Sequence, residues 1–244
     1  MNIDIATLFP DMLENYLSQS IIGRARAKDI FTVKCHDIRA YTKDKHRRVD
    51  DTPYSEQKGM LMQCDPIFNC YEAVTEGREK PHVIYMSPQG KTLTQQRCRE
   101  LAQMDNIFIL CGHYEGVDER IIETLVDEEI SIGDYVLTGG ELPALVLVDA
   151  VVRMLEGTLS QPDCYEDESH YSGLLEYPQY TRPEVWHGMK VPEILLSGHH
   201  ANIKKWRHEQ ALITTARKRP ELLDKAELTE EDLAIIHKVA DFDK

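Results

Sequence analysis

The sequence predicts an α/β protein in which a parallel sheet is covered by helices on both faces and followed by a small helical domain. Three observations predict it. Short apolar runs recur through the first 160 residues, with helix-length patterns between them. Strand-like runs then stop, while two further helical patterns follow. Three of the runs end in loops bearing Gly or Pro, at the edge where an open α/β sheet builds its ligand sites.

In chain order, Ile3–Leu8, Phe31–Cys35, Val83–Met86 and Ile107–Cys111 read as strands. Helical spacing of apolar side chains marks Pro10–Leu17 and the residues after it, Asp65–Thr75, and Thr94–Met104 with Thr94 as N-cap. Strands separated by helices imply a parallel sheet covered on both faces. Ala144–Leu155 is apolar almost all round, as expected of a helix buried on several sides. Residues 161–183 are polar and aromatic, with Asp163, Glu166, Asp167 and Glu168, and no strand is expected beyond them. Ala201–Arg217 and Thr229–Val239 read as helices, the second opening on a Thr229…Asp232 capping pattern. The expected organisation is an α/β domain over 1–160, a linker over 161–176 and a helical domain over 177–244.

A net charge of −14 argues against indiscriminate nucleic-acid binding, because the field of the whole molecule repels phosphate. The cations are nevertheless clustered. Lys43, Lys45, His46, Arg47 and Arg48 form one knot, and Lys204, Lys205, Arg207, His208, Arg217, Lys218 and Arg219 form another. Such clusters on an acidic chain point to a bounded polyanion site. No apolar run approaches the roughly 20 residues that span a bilayer, and the start lacks the basic and apolar regions of a signal peptide. No membrane and a cytoplasmic location are therefore expected. The six cysteines include no Cys-x-x-Cys pair and read as buried thiols. His170, His199 and His200 lack a firm ligand spacing, so no metal site is expected.

The loops carry the chemistry. Val83–Met86 runs into Ser87-Pro88-Gln89-Gly90, and Ile107–Cys111 into Gly112-His113-Tyr114-Glu115-Gly116. The third loop, Ser131 to Pro143, holds three glycines and leads into the apolar helix. Glycine is spent where backbone turns sharply or passes close to something else, and a helix start presents free N–H groups. The phosphate-binding glycine patterns are missing, so a pocket of main-chain amides and carbonyls suits an adenine edge and ribose better than a triphosphate.

Several motifs together are similar to those of the bacterial TrmD family, tRNA (guanine-N1)-methyltransferases of the SPOUT superfamily. They are Ser87-Pro88-Gln89-Gly90, Cys111-Gly112-x-Tyr114-Glu115-Gly116-x-Asp118-x-Arg120, Ser131 to Leu137 and Gly139-Gly140-Glu141-Leu142-Pro143. His46-Arg47-x-Val49-Asp50-Asp51, Tyr180-Thr181-Arg182-Pro183 and Leu195-Leu196-Ser197-Gly198 extend the match nearly end to end. The resemblance implies a trefoil-knotted α/β domain and a homodimer with the active site at the subunit interface. It implies methyl transfer from S-adenosylmethionine to N1 of the guanosine immediately 3′ of the anticodon in tRNA, and suggests Mg²⁺ dependence.

The same resemblance assigns the donor pocket to Tyr85, Met86, Ser87, Pro88, Gly112, Tyr114, Glu115, Ile132, Gly133, Asp134, Tyr135, Val136, Leu137, Gly139, Gly140 and Pro143. It makes His46, Asp50, Ser197, Lys204, Lys205 and Arg207 tRNA contacts. Arg153 would stabilise charge developing toward guanine O6, and a linker carboxylate would act as general base. Counting back from Gly173-Leu174-Leu175, the base position holds Glu168 where the family has Asp, with Asp167 one residue earlier as the alternative. A second departure lies at 54–60, where only Gly59 remains of a run usually rich in glycine. These departures leave a non-catalytic RNA-binding paralogue as the competing reading, and an enzyme acting on another RNA site as a third.

Overall fold

The computed structural model describes residues 1–54, 58–159, 168–171 and 173–242. The chain divides into two units, Met1–Pro162 and Asp163–Lys244.

In the first unit β1 (Asn2–Thr7) leads to α1 (Pro10–Leu17), α2 (Ser20–Ala27) and β2 (Thr32–Asp37). A short antiparallel pair follows, β3 (Asp50–Asp51) with β4 (Leu61–Met62), then α3 (Cys64–Thr75) and β5 (His82–Thr92). The unit continues through α4 (Gln95–Leu101), β6 (Asn106–Cys111), α5 (Glu119–Leu125), β7 (Glu128–Ser131) and α6 (Glu141–Val152). Five strands form one sheet in the order β2-β1-β6-β5-β7, all parallel.

Alternation along the strands feeds two cores, one on each face. Ile3, Ile5, Ile84, Met86, Ile107, Ile109 and Ile130 pack with Leu13 and Leu17 of α1 and Val148 and Val152 of α6. Ala6, Val83, Tyr85, Phe108 and Leu110 point the other way, against Ile67 and Cys70 of α3 and Ile121 of α5. A parallel strand buried on both faces must be apolar at successive positions, which is why these runs read as continuous. Asp4 is a charged exception. It lies 5 % exposed in β1, where His36 Nε2 at 2.8 Å and an Arg78 guanidinium nitrogen at 2.9 Å hold its carboxylate.

The Thr94 hydroxyl accepts from Arg97 N–H at 3.2 Å, as an N-cap does, although the helix ends at Leu101. The Ser87–Gly90 stretch differs from expectation. It is not a loop after a finished strand but an excursion within β5, since Met86 and Lys91 both stand opposite Ile130. α5 and β7 are short and mostly polar, which hid them from periodicity.

The second unit contains a hairpin, β8 (Val185–Trp186) with β9 (Met189–Lys190), followed by α7 (Glu193–Leu196), α8 (His200–Lys218) and α9 (Glu230–Phe242). The hairpin corrects the expectation that no strand follows the linker. Its strands are two residues long, too short for a period-two pattern to register. Leu174, Ala211 and Leu212 form the core, with Leu223, Ile235 and Ile236 against them. Thr229 and Asp232 cap α9 reciprocally, at 2.9 and 3.2 Å, and Asp232 also holds His208 Nε2 at 2.7 Å. Cys35, Cys64, Cys70, Cys98 and Cys111 are free thiols. Among the described residues, no helix is long and apolar enough to cross a membrane.

Candidate active site

β5, β6 and β7 run parallel, so their carboxyl ends lie on one edge of the sheet, and there the chain closes around a cavity of about 230 Å³. Three segments wall it. The β5 excursion supplies Ser87, Pro88 and Gln89, the turn after β6 supplies Gly112 to Gly116, and the loop after β7 supplies Ile132 to Gly140 except Asp134. A larger cleft of about 800 Å³ opens elsewhere, between the β3–β4 pair and the starts of α3 and α5. The smaller cavity is the better candidate, because it sits where open parallel sheets bind ligands and gathers the glycine-bearing turns.

Space explains the glycines. A side chain at Gly140 would meet the Cys111 Cα at 2.8 Å and the Gly112 nitrogen at 2.9 Å, so the loop after β7 passes against the end of β6 backbone to backbone. The Gly140 N–H donates to the Gly112 carbonyl at 2.8 Å, and Gly139 bridges His113. At Gly112 the obstacle is the Tyr85 hydroxyl, 2.7 Å from where Cβ would stand. Burial pushes the Tyr85 phenol up to about 12, with Glu129 and Glu119 adding to it. It therefore faces the cavity neutral, as a hydrogen-bond donor. Tyr114 takes positive φ (59°) and the turn closes through Gly116 N–H to the His113 carbonyl at 3.1 Å. The Ser131 hydroxyl donates to the Gly133 carbonyl at 2.9 Å and accepts the Gly133 N–H at 3.1 Å, fixing the next turn.

Glu141, 4 % exposed at the first position of α6, accepts from the Thr7 hydroxyl at 2.8 Å. Its charge suits the positive end of the helix. Next to it, Cys111 is buried and its thiol is pushed well above the ordinary range. His113 packs edge-on to Tyr114 and tilted to Phe9, with centroids 5.0 and 5.2 Å away. Its Nδ1 is buried without a hydrogen-bond partner among the described residues. Main-chain amides, a neutral phenol and an orphaned imidazole nitrogen suit a polar small molecule with a flat ring, and bring no concentrated positive charge for a triphosphate.

Fifteen of the sixteen residues expected to hold the donor line this one cavity. Asp134 does not; it is exposed. Sequence reasoning missed Val117, Glu119, Ile122, Glu129 and Ile130, which also line it. Glu119 and Ile122 belong to α5, and the signal available was Asp118, whose side chain caps that helix through Arg120 N–H at 3.0 Å.

The other candidates are not among the residues that line the cavity. Arg153 ends α6, half-buried, with its N–H on the Asp149 carbonyl at 3.1 Å. Glu168 belongs to the second unit and is half-buried; its carbonyl accepts from Tyr171 N–H at 3.3 Å, while Ser169 Oγ accepts from Glu176 N–H at 2.9 Å. Asp167, Cys164 and the altered run at 55–57 lie outside the described residues. In the basic knot Arg48 pairs with Asp44 at 2.9 Å and Arg47 with Asp37 at 3.5 Å, leaving Lys43, Lys45 and His46 exposed. Asp50 pairs in register with Met62. Ser197 caps the turn before α8, accepting from His199 N–H at 3.2 Å, and Lys204 and Lys205 stand exposed on that helix. Arg207 is turned inward, its guanidinium 4.9 Å over the Tyr177 ring. Among the described residues, no group of three His, Cys, Asp or Glu side chains is placed to hold a metal ion.

Comparison with known proteins agrees with this geometry. The family model described as tRNA (Guanine-1)-methyltransferase TrmD matches residues 1–225. A tRNA (guanine-N(1)-)-methyltransferase of Ruminiclostridium cellulolyticum is 57 % identical over 226 residues, covering 92 % of this chain and 97 % of that protein. One of Clostridium botulinum is 50 % identical over 244 residues, covering 100 % and 99 %. The crystal structure of tRNA (m1G37) methyltransferase from Aquifex aeolicus superposes with a TM-score of 0.75 at 40 % identity, covering 94 % of this chain and 97 % of that one. On this agreement of sequence and fold, the chain belongs to the TrmD family, the S-adenosylmethionine-dependent tRNA (guanine-N1)-methyltransferases of the SPOUT fold.

Proposed function

We propose that the cavity at the ends of β5, β6 and β7 holds S-adenosylmethionine, and that Glu168 and Arg153 do the proton and charge work of methyl transfer to guanine N1. The observation that carries this reading is the convergence of the three motif-bearing segments on that one cavity. In this reading 1–160 bind the donor, 161–176 form the linker bearing the base, and 177–244 hold the RNA, in the cytoplasm.

The chemistry follows from the substrate. Guanine N1 carries a proton and is a poor nucleophile until that proton leaves. Glu168 accepts it as the N1–methyl bond forms, and Arg153 receives the negative charge developing at O6. The donor, when bound, would supply an electrophilic methyl on a sulfonium, its S–methyl bond breaking to leave a neutral thioether, and this needs orientation more than activation. Glutamate reaches one methylene further than aspartate, so the linker backbone must sit correspondingly further from the guanine. Any Mg²⁺ dependence acts through RNA phosphates, since Mg²⁺ keeps several waters and favours phosphate oxygens.

The donor site is completed by a second copy of the chain. Its support is the outer face of α1 and α6, where Met12, Tyr16, Leu142 and Val146 are each close to half exposed and Tyr16 donates to Asp149. The tRNA then spans two subunits, one supplying the cavity and the other its second unit. His46 and Asp50 flank the target base, and Ser197, Lys204 and Lys205 contact the backbone; Arg207 supports that surface from beneath.

The test is calorimetric titration with S-adenosylmethionine, followed by single-turnover transfer to tRNA transcripts with and without guanosine at the target position. Glu168→Gln is expected to slow transfer about 10²–10⁴-fold with donor affinity unchanged, and Asp167→Asn to stay near wild type. Near-normal transfer by Glu168→Gln overturns the assignment of the base.

A further inference from the structure

Among the described residues, the strands of the β8–β9 hairpin pair only with each other, Val185 opposite Lys190 and Trp186 opposite Met189. His187 and Gly188 form the turn, both at positive φ (50° and 81°), as a two-residue hairpin turn requires to match strand twist. Every residue from Tyr180 to Lys190 is exposed, Trp186 to 59 % and Met189 to 60 %. None of the hydrophobic cores includes them. A lone two-stranded hairpin is marginal in water, and open apolar surface of this kind marks a contact site.

Charge selects the occupant. On a chain of net charge −14, the stretch 180–190 sets Arg182, His187 and Lys190 against Glu184 alone. The segment that follows adds His199, His200, Lys204 and Lys205 against Glu193, all exposed. A polyanion gains from this local reversal of sign, whereas a two-fold contact of the patch with its own copy would set like charges together. The ring chemistry agrees. Trp186 and His187 lie with ring centroids 4.4 Å apart and planes at 86°, and the indole residue is 59 % exposed. Bases of any identity stack on an exposed aromatic ring, while neighbouring cations hold the backbone.

We infer that the β8–β9 hairpin is a stacking platform for an unpaired nucleobase of the substrate tRNA. Trp186 carries the base, and Arg182 and Lys190 take the flanking phosphates. This deepens the RNA-holding role proposed for the second unit and rests on it.

The chain has two tryptophans, Trp186 and Trp206. In full-length Trp206→Phe the remaining indole emission reports on Trp186 directly. A tRNA transcript is expected to quench it, and S-adenosylmethionine alone to leave it unchanged. In the parent background Trp186→Ala is expected to raise the tRNA KM about tenfold with donor affinity and molar mass unchanged, and Trp186→Phe to recover most of that loss. No quenching at saturating transcript overturns the proposal, as does an unaltered KM in Trp186→Ala. A fall in mass by light scattering for Trp186→Ala also overturns it, and makes the hairpin a protein–protein surface. Wild-type transfer to the same transcript is measured alongside and reports on the reaction independently.

Discussion

The surfaces proposed for ligands in the two units are made of different materials. The cavity proposed for the donor in the first is lined by glycine-bearing turns, with glycines pressed against backbone at Gly140 and against a buried phenol at Gly112. The surface proposed for RNA in the second is made of exposed side chains on a short hairpin and one helix face. A backbone site has no rotamers with which to absorb an added atom, whereas a side-chain surface loses one contact at a time. The first should therefore fail sharply under substitution, and the second by degrees and with strong dependence on salt.

The largest expected effect tests the sharp case. Gly140→Ala places Cβ under 3 Å from Cys111 and Gly112 backbone, where nothing yields cheaply. Overpacking of this kind costs up to about 3 kcal/mol, or roughly a hundredfold in donor affinity by calorimetry. Gly112→Ala meets only the tip of Tyr85 and is expected to cost about tenfold or less. Equal losses in the two variants would break the distinction between backbone and side-chain obstacles.

That distinction also explains what the sequence disclosed. The cavity that gathers these turns is legible because glycine and proline punctuate it, and a glycine that cannot be replaced announces tight backbone whatever the ligand. The excursion at Ser87–Gly90 was misjudged as a loop because a register shift against Ile130 is a property of two strands, not of one segment. α5 and β7 escaped because seven and four residues are too few for a period to emerge. The RNA surface was legible only as clustered charge. Nothing in the sequence distinguished Lys204, which is exposed, from Arg207, whose guanidinium lies over Tyr177.

The graded case is tested by Lys204→Ala with Lys205→Ala. The pair is expected to raise the tRNA KM about tenfold and to lower the slope of log affinity against log salt by up to about 2. Donor affinity should not change. A slope identical to wild type would remove both lysines from the RNA contact. The apolar face of α1 and α6 gives an intermediate test, since Val146→Lys sets a charge in its middle. It is expected to halve the molar mass at micromolar concentration, and an unchanged mass would place the subunit contact elsewhere.

The smallest effect compares the two units at one shared device, a buried carboxylate bound to a histidine. Asp4 binds His36 in the first unit, and Asp232 binds His208 in the second. Burial alone would raise both carboxyls; hydrogen bonds and charge hold both below their ordinary value. Arg78 also pairs with Asp4, while Asp232 accepts the Thr229 N–H of the α9 cap. An amide can still accept that cap bond but cannot satisfy a guanidinium charge. Asp4→Asn should therefore cost about 2 kcal/mol and Asp232→Asn about 1 kcal/mol or less at neutral pH. A carboxyl depressed in the folded state contributes stability that is complete above its unfolded value, near 3.9, and is lost as pH falls through the lower folded value. The gap in Tm between wild type and Asp4→Asn should thus hold constant from pH 7 to about 5 and narrow below pH 4. A gap that instead widens on acidification would mean that the Asp4 carboxyl is raised rather than depressed, and that burial outweighs His36 and Arg78.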